Sequence, residues 1–452
     1  MATFNDLPIE LVEHIWSFLA DDLAGKRHLC TAVVPLVRRH NFGSTRIYSK
    51  RRLHSFAGLV ERSDPLSRWF VGVKSVAEYV RDVELDHTVA THRTADPVAI
   101  KNALASINVI LCRCREVERI FSHGQLVMRV LLSSQALPAF NLLMLKEILF
   151  FEVDTDPGAP LSQGHFVHLR RFPALRELLI DFVWDDGSAF ETAQAPHRHH
   201  VGPSPVTKLS LYAGESLTTP GAALFIADFA QLTYLDLNLR GGIDLGPFLQ
   251  ACPLTLTVLK IHYCDELLQD DEQEVDPLHV EADLARFVHL TDLTLGASMF
   301  SPTCELFPIL SSHLPRLRTL TLEPGTRLVA NKVLHYVLAR GGPARRLDKL
   351  VLDSVSVHLH PLPSQSPDRP DVVDGTFRFR HRWMLPNWTR RFGLADAHKL
   401  LATAKRVGVQ VEGTILRAVE YDEVREREEA YLQTRRDEVL YSLRALFGEG
   451  DE

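Results

Sequence analysis

Cysteine is scarce: six residues in a chain of 452 are too few to serve as a disulfide scaffold. The thiols are expected free, in the reducing setting of cytosol or nucleus, so the predicted localisation is cytoplasmic and/or nuclear. No apolar run approaches the roughly 18 to 20 residues needed to cross a bilayer, which argues against a membrane partner. Met1 to Asp6 lack the basic start and apolar core of a signal peptide. Excess positive charge is missing too. The 57 acidic side chains outnumber 50 lysines and arginines, net -7, which argues against nucleic acid as the main partner. Also absent are a phosphate loop with its lysine, a paired Cys-x-x-Cys and a Gly-x-Ser-x-Gly elbow. A non-catalytic chain without cofactor or metal is expected.

What is present is a spacing. With 46% hydrophobic and 24% charged residues, the chain has an ordinary globular composition, but its aliphatic residues recur in one pattern. An aliphatic residue is followed by one three on, and another two further on. Leu232 to Leu239 shows it, and it returns at Leu175/Leu178/Ile180, Val206/Leu209/Leu211, Leu256/Leu259/Ile261, Leu290/Leu293/Leu295, Leu317/Leu320/Leu322 and Leu347/Leu350/Leu352. Earlier rungs are read at Val80/Val83/Leu85, at Val117/Ile120 with Phe121, and at Leu145/Ile148/Phe150. Between rungs lie stretches with apolar residues three or four apart, at Pro220–Phe229, Glu281–Val288, Cys304–Leu310 and Asn331–Leu338. Prolines at 173, 253 and 315, and Gly341-Gly342-Pro343, stop those helices before the next strand.

Strand, short helix and return, repeated, predict a parallel sheet backed by helices in which neighbouring units must stack. This pattern resembles leucine-rich repeat proteins over roughly residues 75 to 360. The resemblance implies an irregular solenoid, because the Asn or Cys that the family often sets beyond the strand is mostly absent. The repeat leucines are core. Recognition is expected from residues between them, and the candidate target-binding side chains are Tyr234, Asp236, Lys260, His262, Tyr263, Arg318, Thr321 and Lys349.

Asn5 and Asp6 can cap a helix whose first turn holds Pro8 and Glu10, with Leu11, Ile15, Phe18 and Leu19 following at helical spacing. Leu7-Pro8-x-Glu10-Leu11-Val12-x-x-Ile15-x-x-x-Leu19, then Leu23 and Leu29-Cys30, resembles an F-box over roughly residues 4 to 45. The basic stretch from Val37 to Leu53 is similar to fungal members of that family. Leu29 to Pro35 departs from the Val-Cys-Lys-x-Trp of many F-boxes. The resemblance implies that Leu7, Pro8, Glu10, Leu11, Ile15, Phe18 and Leu19 bind the adaptor Skp1 and, through it, a cullin-RING ubiquitin ligase.

Two segments interrupt the repeat. The first, Trp184 to Pro205, is polar and proline-rich and reads as a surface loop; its His197, His199 and His200 match no tetrahedral zinc motif. The second, from His358 to Asp371, reads as a flexible insertion. Phe377 to Trp383 reads as a terminal strand, Asp396 to Lys405 as a helix, Val407 to Val411 as a last strand, and Glu420 to Phe447 as a charged capping helix.

The expected organisation is α/β throughout. A helical F-box-like module spans 1–50, a helical linker 51–79, the leucine-rich-repeat solenoid 80–357, a flexible insertion 358–376, and a terminal repeat with helical cap 377–452. The function that follows from the resemblance is substrate recognition in an SCF-type (Skp1-cullin-F-box) ubiquitin ligase, with an unidentified protein target on the repeats. The rival is a leucine-rich-repeat interaction scaffold whose N-terminal helices only cap the solenoid.

Overall fold

A strand with an aliphatic residue at every second position has one face it must hide, and a parallel neighbour with the same pattern hides it. The computed structural model describes residues 42–67, 75–86, 97–124, 126–132, 142–154, 167–184, 204–213, 217, 220–239, 245–263, 280–296, 306–323, 330–341, 347–353, 357–358, 392–416 and 419. The chain is α/β and divides into two units, Met1–Leu256 and Thr257–Glu452.

In the first unit the strands are β1 (Ser44–Ile47), β2 (Asp82–Leu85), β3 (Arg119–His123), β4 (Glu147–Asp154), β5 (Glu177–Trp184), β6 (Lys208–Ala213) and β7 (Tyr234–Leu239). They lie side by side in chain order, each parallel to the one before. Parallel neighbours need a crossover. Helices α1 (Lys50–Ser67), α2 (Pro97–Arg113) and α3 (Leu126–Leu132) supply the first three. A short 3-10 turn at Val167–Arg171 lies between β4 and β5, and α4 (Pro220–Ala227) between β6 and β7. Helix α5 (Gly246–Ala251) follows β7 and packs on α4.

The second unit repeats the scheme with β8 (Val258–Tyr263), β9 (Asp292–Leu295), β10 (Thr319–Leu322), β11 (Lys349–Leu352) and, last in the order, β14 (Gln410–Glu412). Its helices are α6 (Glu281–Leu284), α7 (Leu306–His313), α8 (Ala330–Arg340) and α9 (Leu394–Val407). A separate parallel pair joins β12 (Val357–His358) to β13 (Phe392–Gly393).

The rungs read from spacing are the core. Leu232, Leu235 and Leu237, and their counterparts in the units before and after, are fully buried. The sheet starts one strand earlier than the spacing shows: β1 pairs with β2 although Ser44-Thr-Arg-Ile47 carries only Ile47 as a buried aliphatic. Phe121 is no rung residue. Period two turns it outward and puts Ser122, fully buried, in the third core position of β3, where other strands carry an aliphatic residue or Phe150.

Arginine and threonine side chains just before the strands stitch turn to turn. Arg81, just before β2, donates from Nη1 to the carbonyls of Glu78 and, in the next repeat, Glu116 (3.1 and 3.4 Å). Arg176, just before β5, does the same to Pro173 and to Pro205 one repeat on (3.1 and 3.4 Å). Threonines take over where no arginine stands: Thr207, Thr233 and Thr291 donate to the carbonyls of Arg176, Thr207 and Thr257 respectively. In the second unit Arg340, 1% exposed, donates to the Leu317 carbonyl at 2.8 Å.

Gly341, the residue after α8, lies against α9. A Cβ there would overlap Cβ and Cγ2 of Val407. The strand expected over Val407 to Val411 is β14, shifted to Gln410–Glu412. Val407 closes α9, and Gly408, at φ +78°, turns the chain between them. The expected segments at 185–203, 359–391 and 420–452 lie outside the described residues.

Candidate functional site

Alternation sends every second strand residue outward, and register stacks those residues into rows across neighbouring strands. The first row of the first unit runs Ser44, Asp82, Arg119, Glu147, Glu177, Lys208, Tyr234. It is a chain of charges. Arg119 grips Asp82 with two bonds, Nε to Oδ1 at 2.8 Å and Nη2 to Oδ2 at 2.7 Å, and that fork lifts the guanidinium pKa further. Lys208 pairs with Glu177 and lies 5.2 Å from the centroid of the Tyr234 ring. Between these pairs stands Glu147, half-buried and opposite Glu177. Burial, and after it Glu177, push its carboxyl above the ordinary value.

The second row is apolar at its centre: Arg46, Glu84, Phe121, Leu149, Leu179, Ser210, Asp236. Leu149 is 9% exposed and flanked by the half-buried Phe121 and Leu179. Beyond it His123 stacks on Phe151 at 5.3 Å.

In the second unit the first row is Val258, Asp292, Thr319, Lys349, Gln410, and the second Lys260, Thr294, Thr321, Val351, Glu412. It is mostly polar. Lys349 reaches Glu412 at 2.6 Å, and His262 Nδ1 lies 2.7 Å from Glu323 Oε1.

Of the candidate target-binding residues, Tyr234 and Asp236 are adjacent outward positions of β7. The Tyr234 hydroxyl donates to Asp236 Oδ2 at 3.0 Å; burial first, and then Asp236, push its pKa up to about 12. The others lie in the second unit. Lys260 and Thr321 share a row, two strands apart with Thr294 between them. His262 is one position beyond that row, and Tyr263 is the final residue of β8. Arg318 precedes β10, exposed and 4.0 Å from Asp348, and Lys349 opens β11. The structure thus brings Lys260, His262, Thr321 and Lys349 onto one outward face. Leu7, Pro8, Glu10, Leu11, Ile15, Phe18 and Leu19 lie outside the described residues.

Sequence reading passed over the outward face of β3 to β6. Ile148 to Phe151 is a run of four apolar residues, which reads as wholly core; period two divides it, with Ile148 and Phe150 inward and Leu149 and Phe151 outward. The signal was the charged residue opening each strand, Arg119, Glu147, Glu177 and Lys208, since charges at matching register fix which parity faces water.

Among the described residues no group of three or more His, Cys, Asp or Glu is arranged to hold a metal ion, and no helix is long and apolar enough to cross a membrane. Cys114, at the end of α2, is buried, which pushes its thiol up to about 12 and makes it inert. No model of a known protein family matches the chain, and no curated protein matches it.

Proposed function

We propose that this chain is the substrate-recognition subunit of an SCF-type ubiquitin ligase, docking on a Skp1-like adaptor through Leu7, Pro8, Glu10, Leu11, Ile15, Phe18 and Leu19 and holding a target protein on the outward face of its strands. The observation that carries the second half is the division of labour along each strand. Aliphatic residues are spent on the core, while charged, hydroxyl and aromatic side chains are set in register across the outward face. Such a surface is a row of contacts without a catalytic constellation, which suits recognition. The first half is supported by the Leu7-Pro8-x-Glu10-Leu11 start. Transfer of ubiquitin belongs to the partner enzymes, and this chain acts by holding the target near them. Its place is the cytoplasm or nucleus.

The test is co-purification of the full chain with Skp1, beside the Leu11→Asp/Ile15→Asp variant. Wild type carries Skp1 and ubiquitinated target; the variant, equally folded by its melting curve, carries neither. Failure of the wild type to retain Skp1 removes the adaptor reading.

A second reading is favoured by one feature. Strand β1 is the edge of its sheet, since it pairs only with β2 among the described residues, and solenoid ends need cover. In that reading the N-terminal helices cap a repeat scaffold that works without ubiquitin, and the same co-purification separates the two.

A further inference from the structure

The first row of the first unit is unbalanced at one place. Asp82, Arg119, Glu147, Glu177 and Lys208 hold two positive charges against three negative ones, and the alternation breaks where Glu147 faces Glu177. Neighbouring strands are roughly 5 Å apart, and like charges directly opposite are destabilising. The nearby cations are bound to other groups, although Arg119, opposite Glu147 in register, and Lys208 still attract its charge. Arg119 is bound to Asp82 and Lys208 to Glu177; one residue before the row, Lys146 pairs with Glu118 at 2.7 Å, and Arg176 is turned to backbone carbonyls. Among the described residues Glu147 has no ion pair. It is half-buried, and its carboxyl is held above the ordinary value by burial and by Glu177.

Two residues along the same strands lies the opposite deficit. Phe121, Leu149 and Leu179 form an apolar shelf on a face where the adjoining row is charged. A carboxylate, Glu147, without an ion pair among the described residues, next to the half-buried Phe121 and Leu179, defines the complement of both.

From this arrangement we infer that the outward face of β3, β4 and β5 binds an extended protein segment carrying a lysine or arginine, which sits between Glu147 and Glu177, and an aliphatic or aromatic residue two positions away, which covers Phe121, Leu149 and Leu179. An extended chain repeats its facing direction every two residues, about 6.8 Å. That matches the two-residue step from Glu147 to Leu149 along β4. Binding removes the repulsion between the two glutamates and takes the exposed parts of Phe121 and Leu179 out of water, so both gains are realised only in the complex. The assignment names the chemistry of the target and rests on the proposed reading of the strand face as a recognition surface, but not on the adaptor.

The experiment is selection of a random phage-displayed peptide library on the purified full chain, with the enriched peptides then titrated against wild type, Glu147→Gln and Leu149→Ser. The expected result is enrichment of Arg or Lys two positions from Leu, Ile or Phe, with affinity at least about tenfold lower for Glu147→Gln, the equivalent of about 1.4 kcal/mol. Glu147→Gln keeps the shape of the side chain and relieves repulsion, so an unchanged or raised melting temperature is expected with that loss. Enrichment of peptides without the basic residue, equal affinity for Glu147→Gln, or no enrichment at all overturns the inference. Binding to Skp1, measured on the same preparation, reports separately on the adaptor reading.

Discussion

His262 and Glu323 are 61 residues and two strands apart, yet His262 Nδ1 lies 2.7 Å from Glu323 Oε1. Continuing the strand register by one residue places Gly296 between them, after β9, with its N–H donated to the Ile261 carbonyl at 2.7 Å while Glu323 N–H goes to the Leu295 carbonyl at 2.9 Å. Two strand spacings amount to about 9.6 Å, a gap that only a middle residue without a side chain leaves clear. Glycine at that position puts no side chain between the two.

A double-mutant cycle of His262→Ala and Glu323→Ala should therefore give a coupling of roughly 0.5–1 kcal/mol in urea unfolding, the range of a partly buried polar pair. In a Gly296→Val background the coupling should vanish. An unchanged coupling there would show that the pair does not depend on the clearance over Gly296.

The sign of the Glu147 effect fixes a pH dependence. Its carboxyl is raised in the folded chain, so the folded state keeps this proton to higher pH than the unfolded state does. Stability from this group is then lost as pH rises through the raised value. Glu147→Gln should be the more stable protein at neutral pH, with the difference shrinking as pH falls through the ordinary carboxylate range. Urea titrations at stepped pH read this directly; a variant less stable at neutral pH would refute the assigned cause.

Gly341 tests the seam between α8 and α9. Adding one methyl group there drives it into Val407, and overpacking of this kind costs about 1–3 kcal/mol. Gly341→Ala should lower the melting temperature, and Val407→Gly, which removes both overlapping carbons, should recover part of that loss when measured against Val407→Gly alone. Without recovery, the cost comes from elsewhere in the turn.

Ser122 holds a core position on β3 with its hydroxyl buried and, among the described residues, without a hydrogen-bond partner. Burying an unmatched hydroxyl costs about 1–3 kcal/mol. Ser122→Ala should accordingly raise stability by up to about 2 kcal/mol. A loss instead would mean that the hydroxyl has a role in the native state.

Ser122 also shows what spacing discloses and what it hides. Leu232, Leu235 and Leu237 were legible because one period governs core and strand alike, and the same holds for each rung from Leu145 onward. At β3 the core position is polar and the outward one is Phe121, so hydrophobicity points to the wrong parity. Ser44 to Ile47 hid for a related reason, as a strand with one buried aliphatic carries no pattern. The polar face was half legible. Tyr234, Asp236, Lys260 and His262 follow from parity alone, and aligning the rungs puts Glu147 opposite Glu177 and His262 in line with Gly296 and Glu323. Which side chains close into contact does not follow from spacing, because it depends on how long each side chain is and on what its neighbours already bind.

The central claim is that the first helices serve an adaptor while the strand face serves a target. The most direct measurement is the molar mass by light scattering of the purified full chain mixed with purified Skp1. The account predicts a one-to-one complex that the Leu11→Asp/Ile15→Asp variant does not form while keeping its wild-type melting curve. Wild-type chain and Skp1 eluting as separate species would contradict it.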